Sequence, residues 1–532
     1  MTFVHLENLR FSRVLRTRDR LVRSGRHFIH SLPEVNPLMR PSICGAIVAS
    51  LTILGTATQP LSAADLPLTF VQNQASGATP ASASNRPLED IFEERGLPSQ
   101  EAAVEQADPP IRRLELDALK RRGINTFGWI EAGIGANNWG SPFNGPVTLA
   151  DRSWQGQMNQ LYLVNEKTID ADNSGWDWGG RVDLLYGTDS IFTTARGLDA
   201  YGFQKYGIIN AASWPSSKDY GLAMPQLYGE IARDDLTVRV GHFYTIIGYE
   251  VVPAIGNFFY THAFSMQYEP FTHTGALSIW TPGDQLIVYA GVTNGWDNFS
   301  DGQPVNGAWA IQNRSYPGFS NNAAFLGGVT LKSSDQSQSL TVTTSSGNEY
   351  TPLGVAPSAG SLAGNRSIIS TVYTNTLTDK LTYVFQNDNG WQFNSGYPAG
   401  NLGQQAGLAQ WYSLNQYLFW KFNDKLVGGM RLEYFRDNNG YKVTAPLRNY
   451  CQAGNAGYYA GGFAGNFWEM TFGLNYRANR NWLVRPELRY DWFTPNAGVN
   501  GRPYGRGLGQ GIGTTGDKLG QLYAGCDAIF QF

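Results

Sequence analysis

Long apolar runs are missing from this 532-residue chain. No stretch approaches the roughly 18 consecutive apolar residues of a membrane-spanning helix, which excludes a helical membrane protein. Charge is scarce and nearly balanced, at 16% charged residues and a formal net charge of −3. That argues against a nucleic-acid binder, whose footprint is a basic field. Cysteines number three: Cys44 in a segment expected to be removed, Cys451 in a link, and Cys526 on a strand. They make neither a disulfide framework nor a cysteine zinc cage, so no metal and no cofactor is implied. Catalytic signatures are missing too, with no Gly-x-Ser-x-Gly elbow and no His-Glu-x-x-His. The expected mature chain carries only His242, His262 and His273. No residue is assigned as catalytic, and the chain reads as a non-enzyme.

What the chain has instead is glycine (61 residues), aromatics (13%) and alternation. Between residues 467 and 477, Trp468, Met470, Phe472, Leu474 and Tyr476 share one face, while Glu469, Thr471, Gly473, Asn475 and Arg477 share the other. After a four-residue turn the pattern resumes. Trp482, Val484, Pro486, Leu488, Tyr490 and Trp492 oppose Arg485, Glu487, Arg489 and Asp491. A period of two means extended strands with one apolar and one wet face. Each runs for about ten residues, enough to cross a bilayer at a tilt. A lipid-facing arginine costs on the order of 2–4 kcal/mol at mid-depth, so the charged face must turn away from lipid. Pro486 has no N–H to give its neighbour, which predicts a bulge or a missing ladder bond there.

Similar strands are expected at 124–135, 157–167, 177–186, 226–233, 236–244, 271–281, 285–294, 324–333, 339–348, 367–377, 380–388, 409–422, 425–435, 467–477, 481–493 and 519–532. Short turn-forming links such as Asp234-Asp235 and Asn423-Asp424 alternate with long Gly/Asn/Pro-rich ones: 136–156, 187–225, 245–270, 295–323, 349–366, 389–408, 436–466 and 494–518. Short links at one end and long ones at the other mark a transmembrane barrel. The expected fold is all-β, an up-and-down antiparallel barrel of about 16 strands spanning 123–532. The last strand ends Phe530-Gln531-Phe532; Phe530 and Phe532 resemble the C-terminal signal read by the outer-membrane insertion machinery.

The N-terminal part has a different composition. Residues 43–54 form a 12-residue apolar run with Ser62-Ala63-Ala64 behind it, the layout of a secretory signal peptide cleaved after Ala64. Residues 1–64 are therefore read as an extension plus signal, with Met39 a better start than Met1. The stretch 65–122, rich in Gln, Ala, Ser and Pro, is read as a flexible periplasmic segment.

Gly128-Trp129, Thr272-His273-Thr274-Gly275, the run Gly291–Asp297 with its Asn294-Gly295-Trp296-Asp297, and Arg485-Pro-Glu-Leu-Arg-Tyr-Asp-Trp492 resemble motifs of the outer-membrane β-barrel porins of OmpL-like type, a family frequent in Planctomycetes. The resemblance covers roughly 124–532 and implies an outer-membrane barrel more firmly than any solute. The expected function is a passive channel for small hydrophilic solutes through a charged aqueous lumen. Glu230, Arg239, Arg431, Glu433, Glu469, Arg477, Arg485, Glu487, Arg489 and Asp491 are read as pore-lining, acting either as a transverse field or as ion pairs bracing the wall. The aromatic link 245–270, with Phe258, Phe259, Tyr260, His262 and Phe264, either folds inward as a constriction or packs outward against its neighbours. Inward aromatics would offer a stacking track for sugars. Expected partners are outer-membrane lipid, the insertion machinery and the solutes, with a homotrimer open and no nucleic acid. The alternatives are a surface receptor or adhesin working through its long loops, and a barrel hydrolase using His262 and His273.

Overall fold

The computed structural model describes residues 114, 116–169, 175–195, 197–199, 219–299, 304–305, 308–309, 323–349, 364–398, 404–443, 463–507 and 515–532. The signal-peptide assignment lies outside these residues, and of the 65–122 segment read as flexible only residues 114 and 116–122 fall within them, the latter carrying one helical turn. After a short helix, Asp117–Lys120, the chain forms sixteen barrel strands among the described residues. They are β1 (Asn125–Asn137), β2 (Gln157–Lys167), β3 (Trp176–Gly187), β4 (Gly221–Arg233), β5 (Leu236–Tyr244), β6 (Thr272–Gly283), β7 (Leu286–Thr293) and β8 (Ala324–Lys332). There follow β9 (Gln338–Glu349), β10 (Gly364–Thr378), β11 (Leu381–Pro398), β12 (Gln404–Asn423), β13 (Leu426–Asp437), β14 (Gly465–Asn479), β15 (Trp482–Pro495) and β16 (Gly520–Gln531). Each is antiparallel to its sequence neighbours, and β16 pairs with β1 from Trp129↔Gln531 to Asn137↔Tyr523. Closure removes every sheet edge, so all backbone groups in the wall have a neighbour to pair with.

The strands alternate as their sequences do. Ile130, Leu161, Ile231, Val240, Val292, Leu331, Phe472, Leu488 and Leu522 are exposed on the outer surface. Aromatics crowd its two ends: Trp176, Trp178, Trp280, Trp420 and Trp482 by the short turns, and Tyr186, Phe325, Trp468 and Tyr490 by the long links. Trp468 and Trp492 stack with ring centroids 5.8 Å apart. An apolar band between two aromatic girdles is the outside of a membrane barrel. In the tight β4–β5 turn Asp234 takes φ 50°, a left-handed position that aspartate tolerates better than most residues.

Pro486 stays in register with Cys526 on β16, but the β14–β15 pairing skips from Gly473↔Glu487 to Tyr476↔Val484. The ladder lapses at the proline without a register shift. The long-link ends depart from expectation at β11 and β12, which run 18 and 20 residues. Most of the stretch read as a link, 389–408, continues the hairpin instead. Its polar, glycine-containing sequence lacks the apolar alternation that marks lipid contact, and strands that rise clear of the bilayer no longer need it.

Candidate functional site: the inward loop and its arginine anchors

The β5–β6 connection, residues 245–271, enters the barrel and is buried along its length. A local clamp shapes it. Asn257 accepts from the Val251 N–H at 2.9 Å and donates to the Val251 and Pro253 carbonyls at 2.6 and 3.0 Å. A 3-10 turn at Ala254–Gly256 and a single helical turn at Phe264–Tyr268 complete it.

The charged faces of β13, β14 and β15 grip this loop. Arg485 donates to the Ala254 and Asn257 carbonyls at 2.9 and 2.7 Å, and pairs with Glu131 at 2.9 Å and Asp527 at 2.5 Å. Arg489 donates to the His262 carbonyl at 2.6 Å and pairs with Asp491 at 2.8 Å. Arg431 binds the Thr261 carbonyl at 2.8 Å, Glu250 of the loop at 2.7 Å and Glu469 of β14 at 2.8 Å. The wall acids complement them. Glu433 accepts the Phe264 and Ser265 N–H groups at 2.6 and 2.7 Å, and Glu487 accepts those of Tyr260 and Thr261. Backbone groups that a loop in an apolar barrel interior would leave unmet are thus satisfied by charged side chains.

Glu250 sits between the Arg431 guanidinium and the His262 ring. Burial pushes its carboxyl up, but Arg431 and His262, whose Nδ1 lies 3.0 Å away, outweigh that and hold it at about 2. The aromatic residues dock by shape. Gly429 and Gly473 face each other across β13 and β14. A Cβ on Gly429 would come within 2.3 Å of the Phe258 ring, and one on Gly473 within 2.9 Å of Phe259. These two glycines are the seat for the two rings, which also pack on Phe419 at 4.8 and 6.4 Å between centroids.

Every residue read from sequence as pore-lining lies on the inward register. Arg431, Arg489 and Asp491 are 0% exposed, engaged with the loop or with each other. Glu433, Glu469, Arg485 and Glu487 are likewise buried. Glu230 and Arg239 pair across β4 and β5 at 3.1 Å, away from this cluster, and Arg477 is half-buried near the short turns. Phe258, Phe259, Tyr260, His262 and Phe264 are all within the barrel, but as packing against the wall. The rings offer no open stacking track for sugars, because wall side chains already cover them. His273 bridges Thr245 Oγ1 and the Gly295 carbonyl at 2.9 and 3.0 Å.

Sequence reasoning missed Glu250, Glu131 and Asp527. The last two sit at inward positions of β1 and β16 and were available from alternation alone. Glu250 lies in a link, where no periodicity singles it out. Phe530 and Phe532 face outward beside Trp482, with the Phe530 ring 4.9 Å from Trp482, and Phe532 exchanges backbone hydrogen bonds with Gly128.

A closed sixteen-strand barrel with an apolar outer band and a connection folded into its lumen defines a transmembrane pore protein of porin architecture. The chain belongs to the family described as "Putative beta-barrel porin-2, OmpL-like", whose model matches residues 123–532. It is an outer-membrane porin. No curated protein matches it. Solved structures that resemble it include the outer-membrane channel DcaP of Acinetobacter baumannii, at 9% identity and TM-score 0.45, covering 77% of this chain and 97% of that one. The anion-selective porin of Comamonas acidovorans, at 9% identity and TM-score 0.45, covers 77% and 99%. OprB of Pseudomonas putida, at 10% identity and TM-score 0.42, covers 78% and 96%.

Proposed function

We propose that the protein is a passive channel for small hydrophilic solutes whose aperture is set by the loop 245–271. The observation that carries this reading is the triple anchorage of that loop by Arg431, Arg485 and Arg489. It places the loop against β13–β15 and commits the charges of that wall to holding it. On the other side β8–β10 turn Thr330, Thr341, Thr343, Ser345, Ser370 and Thr374 inward together with the charged Glu349 and Arg366, so polar groups of every kind line the rest of the wall. Export by a signal cleaved after Ala64, insertion through the Phe530–Phe532 end and assembly as a homotrimer belong to the same reading.

The test is single-channel conductance of the purified protein in a planar bilayer, with the reversal potential in a salt gradient. The protein's intact mass, expected to begin at Asp65, checks the export step. Stable open steps with a reversal potential near zero are expected, because the arginines and acids neutralise one another. A folded, inserted barrel that never conducts would overturn the channel reading in favour of a receptor working through its long links. A strong cation or anion preference would return the wall charges to the solute path.

A further inference from the structure

Acids that meet the inward loop are answered by a cation or by backbone N–H groups: Glu250 by Arg431, Asp527 by Arg485, and Glu433 by Phe264 and Ser265. Asp388, on β11 and facing inward, is an exception. No lysine, arginine or histidine among the described residues pairs with it. Its Oδ2 accepts from the Ser413 hydroxyl at 2.7 Å and from the Gln386 amide at 2.8 Å, while its Oδ1 is buried with no hydrogen-bond partner. Beside it lies a second carboxylate, Glu269, from the end of the loop 245–271. The same Gln386 nitrogen donates to Glu269 Oε1 at 2.7 Å, so one amide holds both acids at one spot.

The spot is built from the loop and from the wall. The Tyr249 N–H donates to Gln386 Oε1 at 3.2 Å, which fixes the way the amide faces. Gly248 takes φ 82°, and a Cβ there would come within 1.8 Å of Glu269 Oε2, so the loop turns left-handed where the carboxylate passes. On the wall, Ser370, Asp388 and Ser413 stand directly opposite one another on β10, β11 and β12. Ser370 is 0% exposed, and its Oγ lies beside the Asp388 carboxylate without a hydrogen bond of good geometry.

We propose that Glu269, Asp388 and Ser370 hold a calcium ion. Like charges brought together in a buried place repel unless an opposite charge joins them. A proton shared between the two carboxyls would relieve the repulsion but leave Ser370 Oγ as it stands. A cation takes Asp388 Oδ1 and Ser370 Oγ together with Glu269. The donors are all oxygen, which suits a hard cation and not a thiolate- or imidazole-seeking one. They come from a loop and two strands at irregular angles. Calcium tolerates an irregular shell of oxygens, whereas magnesium demands a near-ideal octahedron. No third acid, histidine or cysteine joins them as a metal-binding group among the described residues, so water completes the shell. The ion ties the end of the loop to β11, a strand that carries none of the three arginines that anchor it. The inference rests on the loop lying inside the barrel and not on the barrel conducting.

The test is calorimetric titration of calcium chloride into the full-length protein, purified in detergent and stripped of metal with a chelator, near neutral pH. The wild type should take up one ion per chain at a saturable site, and its thermal unfolding midpoint should rise when calcium is added. Asp388→Asn keeps an oxygen for Ser413 and removes the charge. It should lose the saturable uptake and the calcium-dependent shift, yet unfold in chelator no earlier than the wild type, because the repulsion is gone. Ser370→Ala should weaken the uptake with the barrel folded, and Asp335→Asn, in an exposed turn, should leave it unchanged. A wild type that takes up no calcium would overturn the proposal in favour of a shared proton. So would uptake that persists in Asp388→Asn or is untouched in Ser370→Ala, which would place the binding on surface acids. Single-channel recording of the same preparations reads the channel property separately.

Discussion

Arg431 is the residue whose loss should most directly free the loop. Its guanidinium joins three structures: β13, which carries it, Glu469 on β14, and Glu250 with the Thr261 carbonyl on the loop. It also lies 4.9 Å from the Phe259 ring. Replacing it by glutamine removes one partner from a buried charge network, which typically costs about 3–5 kcal/mol because the carboxylates left behind stay buried. The backbone ladder of β13 does not depend on the side chain, so the loss falls on docking of the loop. At about 3 kcal/mol, the ratio of displaced to docked loops rises on the order of a hundredfold, since each 1.4 kcal/mol is a factor of ten. In a planar bilayer, Arg431→Gln should show excursions to a higher conductance level on the order of a hundredfold more often than the wild type. Arg431→Lys, keeping the charge without the planar fork, should fall between them. Arg239→Gln serves as a control, because the partner of Arg239 is Glu230 on the neighbouring strand. Equal excursion frequencies in Arg431→Gln and the wild type, with both folded and inserted, would refute the claim that this arginine holds the loop.

Gly429→Val tests the seat rather than the anchor. A Cβ there would stand 2.3 Å from the Phe258 ring, and overpacking of this kind typically costs about 1–3 kcal/mol, so the loop should be displaced and the conductance raised; a wild-type trace would show that the ring has room elsewhere. Glu250 gives a pH dependence. Its carboxyl is lowered from 4.5 to about 2 in the docked loop, so its contribution is present above its free value and lost as pH falls through about 2. High-conductance excursions should therefore grow progressively below about pH 4 in the wild type. Glu250→Gln should show them already at neutral pH, with little further change on acidification through that range; identical pH profiles for the two proteins would remove Glu250 from the latch.

The wall was legible from sequence because a membrane strand must obey a period of two, and each of the sixteen strands answers to an expected span. Its charged face was legible for the same reason: Arg485, Glu487, Arg489 and Asp491 have no permissible place on the lipid side. What the charges do was not legible. Alternation assigns a side chain to the lumen but does not say whether water or another part of the chain meets it there. Phe258 and Phe259 show the limit clearly. Their presence marked the loop as unusual, but the reason they fit is a pair of glycines some 170 to 210 residues later, Gly429 and Gly473, in strands where glycine would otherwise only weaken the sheet.

This also explains why both signs of charge occur on one wall. A loop carried into a barrel brings exposed carbonyls and exposed N–H groups together. Carbonyls need donors, which Arg431, Arg485 and Arg489 supply to Thr261, Ala254, Asn257 and His262. N–H groups need acceptors, which Glu433 and Glu487 supply to Phe264, Ser265, Tyr260 and Thr261. A wall of one sign could satisfy only half of the loop backbone and would repel itself across adjacent strands. The mixed pattern that reads in sequence as a selectivity field is, in the structure, what holds an irregular segment of backbone in place.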